Sequence, residues 1–401
     1  MSVTLDSIRA ARERIRDVIY HSPCPYSLSL SRLCECEVYC KLDNLQMTGS
    51  FKERGARNKL LLLDPEHRQR GVVGASAGNH ALALAYHGHD LGIAVTVVMP
   101  KWSPLVKVKN CRSFGANVIL HGESYDDARK HAKSLAEQGM TYVPGFDDAD
   151  IIAGQGTIGL EILEDVPDVD VVIIPVGGGG LIAGAGRALK AMKPGIRLIG
   201  VEPVNAPTMH VSLREGKVTH VETKPTLADG LAVAEIGKLC FEIGKEVIDD
   251  LLLVDEAQIA RAVLRLLELE KTVVEGAGAV PLAAAMDPAF DLAGKKVVLV
   301  LCGGNIDVSM ISKVIDRGLA ADGRLCRIVA HVSDRPGSLA NLTRVLGATG
   351  ASVKEVEHDR HFGPPDVALV NIICVLETRD FEHIEQIKQA LRDAGISFSA
   401  E

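Results

Sequence analysis

Apolar residues recur along this chain with two different spacings. From Gly71 onward, short continuous apolar runs alternate with longer stretches in which apolar residues return every three to four positions. Gly71 to Ala75, Ala94 to Met99, Ala116 to Leu120 and Met140 to Val143 are read as buried strands. Ala81 to Leu91, Pro104 to Phe114 and Ser124 to Gln138 between them are read as helices. A second series opens with a helix near Gly154 to Glu164, then strand Val171 to Val176, a helix after Gly180 and strand Arg197 to Val201, and closes at Val297 to Leu301. Such alternation predicts right-handed βαβ crossovers and parallel sheets. The expected fold class is therefore α/β, two wound sheets with a cleft between them, and ligands in such sheets sit beyond the carboxyl ends of the strands. Upstream, Leu5, Ile8, Ile15, Val18 and Ile19 fall near one helical face, and Val38 to Leu42 is extended.

Gly, Ala and Asp gather at Gly318 to Arg324, and the pattern then changes. Leu325 to Val332, Ala351 to Glu357, Val367 to Leu376 and Ile396 to Phe398 read as strands, with helices at Ser338 to Gly347 and Phe381 to Ala394. That order is βαββαβ, the ferredoxin-like split arrangement. The expected domains are 5–320, with a large lobe of 5–73 and 152–320 and a small lobe of 74–151, and then 325–401.

A chain of 401 residues, 47% apolar, buries more than one core. Its formal charge of -8 argues against a broad phosphate-backbone surface, hence no nucleic acid partner. The most apolar run, Val171 to Ala183, is broken by four glycines and is too short for a bilayer, so no membrane association is expected. Asp6, Glu13 and Asp17 interrupt the Arg-rich start and speak against a transit peptide. The nine cysteines are odd in number and lack C-x-x-C spacing; Cys34, Cys36 and Cys40 have no second half of a zinc site, which points to reduced thiols in the cytoplasm.

Chemistry concentrates at a few loops. Lys52, in Thr48-Gly49-Ser50-Phe51-Lys52-Glu53-Arg54-Gly55, stands at a loop-to-helix junction, where a desolvated amine loses its proton more easily and attacks a carbonyl. Gly177, Gly178, Gly179 and Gly180 follow a strand and open a helix, a credible phosphate cradle. The same residues satisfy a dinucleotide fingerprint, Gly178-x-Gly180-x-x-Ala183 with Glu202 as the ribose acid, so a nicotinamide-dependent dehydrogenase is the competing reading. A tight turn without ligand fits them too. Ser76-Ala77-Gly78-Asn79-His80 opens another helix, with N–H groups suited to a carboxylate or simply to N-capping. Cys302 stands at a strand's carboxyl edge, and Glu275 precedes a glycine-rich turn.

Five segments in order, G-S-F-K-E-R-G-A (49–56), S-A-G-N-H-A (76–81), A-G-Q-G-T-I-G-L-E (153–161), P-V-G-G-G-G-L-I-A-G (175–184) and C-G-G-N-I-D (302–307), give residues 5 to about 318 a close resemblance to a known family. It is that of the pyridoxal-phosphate-dependent threonine/serine dehydratases, of the tryptophan-synthase-β-like fold type II. The resemblance implies that Lys52 carries the cofactor, that Phe51 packs near its ring, that Asn79 holds the ring's phenolic oxygen and that Gly177 to Gly180 hold the phosphate. It further implies that Ser76 with the amides of Gly78, Asn79 and His80 takes the substrate carboxylate, that Glu275 lines the cleft and that Cys302 faces the pyridine nitrogen, where the family carries Ser or Cys. Lys52, Ser76 and Glu275 are the implied catalytic residues.

The implied reaction is β-elimination from L-threonine or L-serine to 2-oxobutyrate or pyruvate plus ammonia. Serine racemase and 3-hydroxyaspartate dehydratase on the same scaffold are the alternatives, but racemases carry a serine where this chain has Ala77. Family metal sites map onto Glu202, Ala206 and Thr208, with Leu231 and Val233 carbonyls adjacent; Thr208 where divalent-ion users have Asp implies a monovalent cation such as potassium. Asp334-Arg335-Pro336-Gly337-Ser338-Leu339 resembles the ACT-domain signature, which implies an amino-acid effector at Gly337, Ser338 and Leu339 and a homodimer or homotetramer; pairing of two such domains without a ligand is the alternative.

Overall fold

The Val- and Ile-rich runs form two parallel sheets in the first part of the chain, and strands buried on both faces need such near-continuous apolar sequence. The computed structural model describes residues 2–361, 366 and 368–400. Its larger sheet has the order Glu37–Lys41, Lys296–Val300, Val171–Pro175, Arg197–Pro203, Asp250–Val254, every pair parallel. The smaller runs Asn117–Leu120, Val95–Met99, Val72–Ala75, Thr141–Tyr142, again parallel. The expected strands are present, and a fifth, Asp250–Val254, joins the edge of the larger sheet. It is only half buried and begins on an acid, so its apolar run is short.

The helix expected from Gly154 starts earlier, at Ala149, and runs to Asp165. The Asp148 carboxylate accepts the N–H groups of Asp150 at 2.9 Å and Ile151 at 3.1 Å, which fixes its first turn. This helix lies against Lys52–Leu61 on one side and Gly180–Met192 on the other. Contact is backbone to backbone: a Cβ on Gly154 would fall 2.5 Å from the Arg54 carbonyl, and one on Gly184 2.3 Å from the Ile152 carbonyl. The lysine helix and the glycine-run helix are thereby held to one scaffold.

The chain divides into two compact units, Met1–Asp307 and Val308–Glu401. Helix Val308–Ala321, which the composition shift would leave in the first domain, belongs to the second, where it packs on strand Leu325–Ser333 and Asp316 pairs with Lys354 at 2.8 Å. The second unit is a four-stranded antiparallel sheet, Ser352–Asp359, Leu369–Glu377, Leu325–Ser333, Ser397–Ala400, with helices Ser338–Ala348 and Phe381–Asp393. Cys326, Ile328, Ala330 and Val332 alternate toward those helices and meet Leu342, Leu346, Ile387 and Leu391. This is the ferredoxin-like arrangement; Val367, the expected start of its third strand, lies outside the described residues. Among the described residues no helix is long and apolar enough to cross a membrane.

Candidate active site

The loop before Lys52 is stitched to the carboxyl end of Lys296–Val300. Phe51 N–H donates to the Cys302 carbonyl at 3.0 Å, Ser50 bridges to Gly303, and Gly304 N–H donates to the Gly49 carbonyl at 2.9 Å. Gly49 takes a φ of +75°, and a Cβ there would strike Asn305 Oδ1 at 2.6 Å, so the turn needs glycine. Thr48 N–H donates to the Glu53 carboxylate. Lys52 then opens its helix with Nζ donating to the Gly145 carbonyl at 2.6 Å and lying 5.0 Å from the Phe51 ring centroid. Burial lowers the Lys52 amine to about 8, against smaller opposing effects of Cys302, Cys240 and Glu275. Two residues on, the fully buried Arg54 guanidinium grips Asp43 at 2.8 Å and Glu161 at 2.6 Å.

Gly177 to Gly180 connect strand Val171–Pro175 to the 13-residue helix Gly180–Met192. Side chains are excluded along this run. A Cβ would lie 3.0 Å from Leu231 Cα at Gly177, 2.3 Å from the Phe146 ring at Gly178, 2.8 Å from Cys240 Cβ at Gly179 and 2.4 Å from Gln155 Oε1 at Gly180. Gln155 is buried, and neither its Oε1 nor its Nε2 has a hydrogen-bond partner. The Asp147 carboxylate, beside Phe146, accepts Leu239 N–H at 2.9 Å and Lys238 N–H at 3.1 Å.

From the smaller sheet, strand Val72–Ala75 leads into Ser76, whose Oγ accepts Gly78 N–H at 3.1 Å. No atom lies within 4 Å of where a Gly78 Cβ would be, so this edge is open. Asn79 begins helix Asn79–Asp90; its Nδ2 donates to Glu275 Oε1 at 2.7 Å and its Oδ1 accepts from Asn305 Nδ2 at 2.8 Å. His80 is buried with Nε2 2.9 Å from the Val143 carbonyl, and burial holds its pKa down at about 4, so the neutral ring donates there. Glu275 immediately precedes helix Gly276–Ala285, and its side chain makes no capping bond to that helix. Burial first, and repulsion from Asp229 second, push its carboxyl up to about 7, with the Asn79 bond opposing. Burial likewise pushes the Cys302 thiol well above its ordinary range.

Lys52, Asn79, Glu275 and Cys302 thus gather with the glycine run, at strand carboxyl ends of both sheets. Glu202 is engaged elsewhere. Its two carboxylate oxygens accept Met209 N–H at 2.7 Å and His210 N–H at 2.8 Å, at the start of helix Thr208–Glu215. Burial pushes the Glu202 carboxyl up to about 8. Ala206 is buried beside it, and Thr208 Oγ1 donates to the Val233 carbonyl. Among the described residues no group of three or more His, Cys, Asp or Glu is arranged to hold a metal ion. In the second unit, Gly337 has a φ of +93° and precedes helix Ser338–Ala348; Ser338 Oγ lies 3.0 Å from Ser333 Oγ, and Leu339 is exposed.

Sequence reasoning assigned no role to Gln155, Asn305 or Gly145. The first two stand inside the quoted motifs, and the usable signal was a lone amide in an otherwise glycine-rich or apolar segment. Gly145 acts through its backbone carbonyl, for which the sequence carries no signal.

Comparison with known proteins fits this geometry. Residues 15–303 match the family model described as pyridoxal-phosphate dependent enzyme. The L-threonine ammonia-lyase of Thermotoga maritima is 47% identical over 394 residues, 98% of each chain. Among solved structures, the processed threonine deaminase isoform 2 of Solanum lycopersicum has a TM-score of 0.75 at 38% identity, covering 78% of this chain and 86% of that one. Serine racemase from Dictyostelium discoideum has a TM-score of 0.73 at 37% identity, covering 77% and 100%. This chain belongs to the pyridoxal-phosphate-dependent enzymes, in the L-threonine ammonia-lyase family. The residues fit that cofactor: a four-glycine turn at the start of a helix, too closely packed for any larger residue, the unpartnered amide of Gln155 beside it, and a buried amine within the same cleft.

Proposed function

We propose, from that membership, that this chain catalyses β-elimination from L-threonine, and also from L-serine, releasing 2-oxobutyrate or pyruvate with ammonia. The observation that carries the reading is the Lys52 amine, lowered to about 8 by burial, in one cleft with the four-glycine turn and the loop at Ser76. Gly177 to Gly180 hold the cofactor phosphate with their N–H groups at the positive end of a helix, and Gln155 turns its amide to the same place. Phe51 would pack near the cofactor ring, Asn79 would hold its phenolic oxygen and Cys302 would face its nitrogen. Because burial keeps the Cys302 thiol protonated, it offers no negative charge to hold a proton on that nitrogen. Ser76 and the N–H groups of Gly78, Asn79 and His80 take the substrate carboxylate at the open edge.

When bound, pyridoxal phosphate supplies a sink for the electron pair left at Cα. Lys52, leaving the Gly145 carbonyl, removes the Cα proton as a general base. Glu275, with a carboxyl pushed up to about 7, exchanges its proton at the cleft wall near neutral pH and accepts from Asn79 Nδ2. Elimination is favoured over inversion because Ala77 presents no proton donor opposite Lys52. That residue carries the distinction, since the fold is common to deaminases and racemases alike.

A cation, potassium first, is proposed at Glu202, Ala206 and Thr208, supported by the fully buried Glu202 carboxyl, which holds its proton for want of a counter-charge that a cation would supply. The second unit is proposed as an ACT domain that pairs with a second copy and answers to an amino acid at Gly337, Ser338 and Leu339, supported by its βαββαβ order and the left-handed turn at Gly337. The test is release of 2-oxo acid from L-threonine, L-serine and 3-hydroxyaspartate, with and without added amino acids. Threonine turned over fastest is the expected result. Conversion of L-serine to D-serine faster than to pyruvate would overturn the assignment.

A further inference from the structure

We propose that Asn305 is a positioning residue that fixes which way the Asn79 side-chain amide faces, and ties that choice to the turn leading into Lys52. The inference rests on the reading of Asn79 as the group that holds the cofactor ring. A carboxamide has two ends of similar shape and opposite polarity, so its orientation is set by its partners. Here the partners form a directed series. The Thr48 carbonyl is a backbone group that can only accept, and Asn305 Nδ2 donates to it at 2.7 Å. That places the same NH2 group 2.8 Å from Asn79 Oδ1, so the Asn79 oxygen must face Asn305. Asn79 Nδ2 is thereby turned to Glu275 Oε1 at 2.7 Å, and its second hydrogen remains for the ring oxygen.

Reversed, Asn79 would set NH2 against NH2 at Asn305 and oxygen against oxygen at Glu275. The anchor of the series lies in the lysine loop itself. Thr48 precedes Gly49, whose carbonyl accepts Gly304 N–H at 2.9 Å and whose left-handed turn leaves room for the Asn305 amide. One residue beyond the carboxyl end of strand Lys296–Val300 therefore registers the Lys52 turn against the first residue of helix Asn79–Asp90.

The test compares holoenzyme carrying Asn305→Asp, which keeps the shape and sets an acceptor against both Thr48 O and Asn79 Oδ1, with Asn305→Ala. The readouts are the pH midpoint of the bound cofactor's visible absorption band, kcat and KM for L-threonine, and far-ultraviolet circular dichroism. Expected for Asn305→Asp is a midpoint shift of about one pH unit and a fall in kcat of about tenfold or more, with KM changed less than kcat. Asn305→Ala, which frees Asn79 without reversing it, falls between the two. A band midpoint in Asn305→Asp equal to wild type overturns the inference. So does Asn305→Ala losing as much as Asn305→Asp, since that is the mark of packing alone. If Asn305→Asp does not fold, Asn305→Ser decides by the same midpoint, a shift supporting the inference and no shift overturning it. Wild-type protein with a visible band but no 2-oxo-acid release defeats the functional reading and leaves the amide orientation to be judged by the midpoint.

Discussion

Lys52 Nζ is held 2.6 Å from the carbonyl oxygen of Gly145, so the amine at the centre of the cleft is hydrogen-bonded yet has no carboxylate within that contact. A neutral acceptor does not hold the proton on as a carboxylate would, and burial therefore decides the balance, lowering the amine from 10.5 to about 8. The rate at which cofactor-free protein takes up pyridoxal phosphate is expected to rise with pH through a midpoint near 8. A midpoint near 10 would show an ordinary solvated lysine.

The Glu275 carboxyl answers, after burial, to two nearby charges, Asp229 and Lys107, which pair with each other at 3.3 Å. Asp229 raises the Glu275 pKa and Lys107 lowers it. Asp229→Asn is accordingly expected to move the Glu275 titration below about 7, and Lys107→Met to move it above. Infrared difference spectra, with the band assigned by its loss in Glu275→Gln, follow both; shifts of the same sign would contradict the account.

Arg54 is fully buried between Asp43 and Glu161. Removing its charge leaves Asp43 to the Ser22 hydroxyl at 2.6 Å and Glu161 to Lys41 at 2.8 Å in a low-dielectric interior, so Arg54→Met is expected to cost about 3 to 5 kcal/mol of stability. Chemical denaturation measures it, and a loss under about 1 kcal/mol would mean that the network relaxes without its centre.

Glu202 gives a pH-dependent stability whose sign can be stated in advance. In the unfolded chain its carboxyl releases its proton near 4.5, whereas in the folded protein it keeps it to about 8. Over that window the folded state binds more protons, so the Glu202 contribution is fully present below about 4.5 and is lost as pH rises through about 8. Glu202→Gln is expected to flatten the decline in melting midpoint that wild type shows from pH 5 to 8.5 in cation-free buffer. An unchanged slope would remove Glu202 as its source.

The strands that build the cleft were legible because sequences buried on both faces, such as Val171 to Val176 and Val297 to Leu301, have no other use for so many consecutive apolar residues. The glycine turn was legible too, since Gly177 to Gly180 leave little else that four glycines in a row can do. Asp250–Val254 was not, because an edge strand half exposed beside an acid carries a weak pattern. Nor was the true start of helix Ala149–Asp165, where Asp148 caps the turn ahead of the residues that show helical spacing. At the site, Lys52 and Asn79 stand in local motifs that the sequence displays. What joins them, Asn305 to Asn79 and Gly145 to Lys52, spans many residues of sequence, and such pairings depend on how two sheets meet.

The central claim, that Lys52 carries the cofactor in a cleft built for elimination, is tested most directly by locating the covalent attachment. Holoenzyme is reduced with borohydride, digested and mapped by mass spectrometry. The account predicts one pyridoxyl group per chain on the peptide containing Ser50-Phe51-Lys52-Glu53. Label on any other lysine, or a protein that takes none, would contradict it.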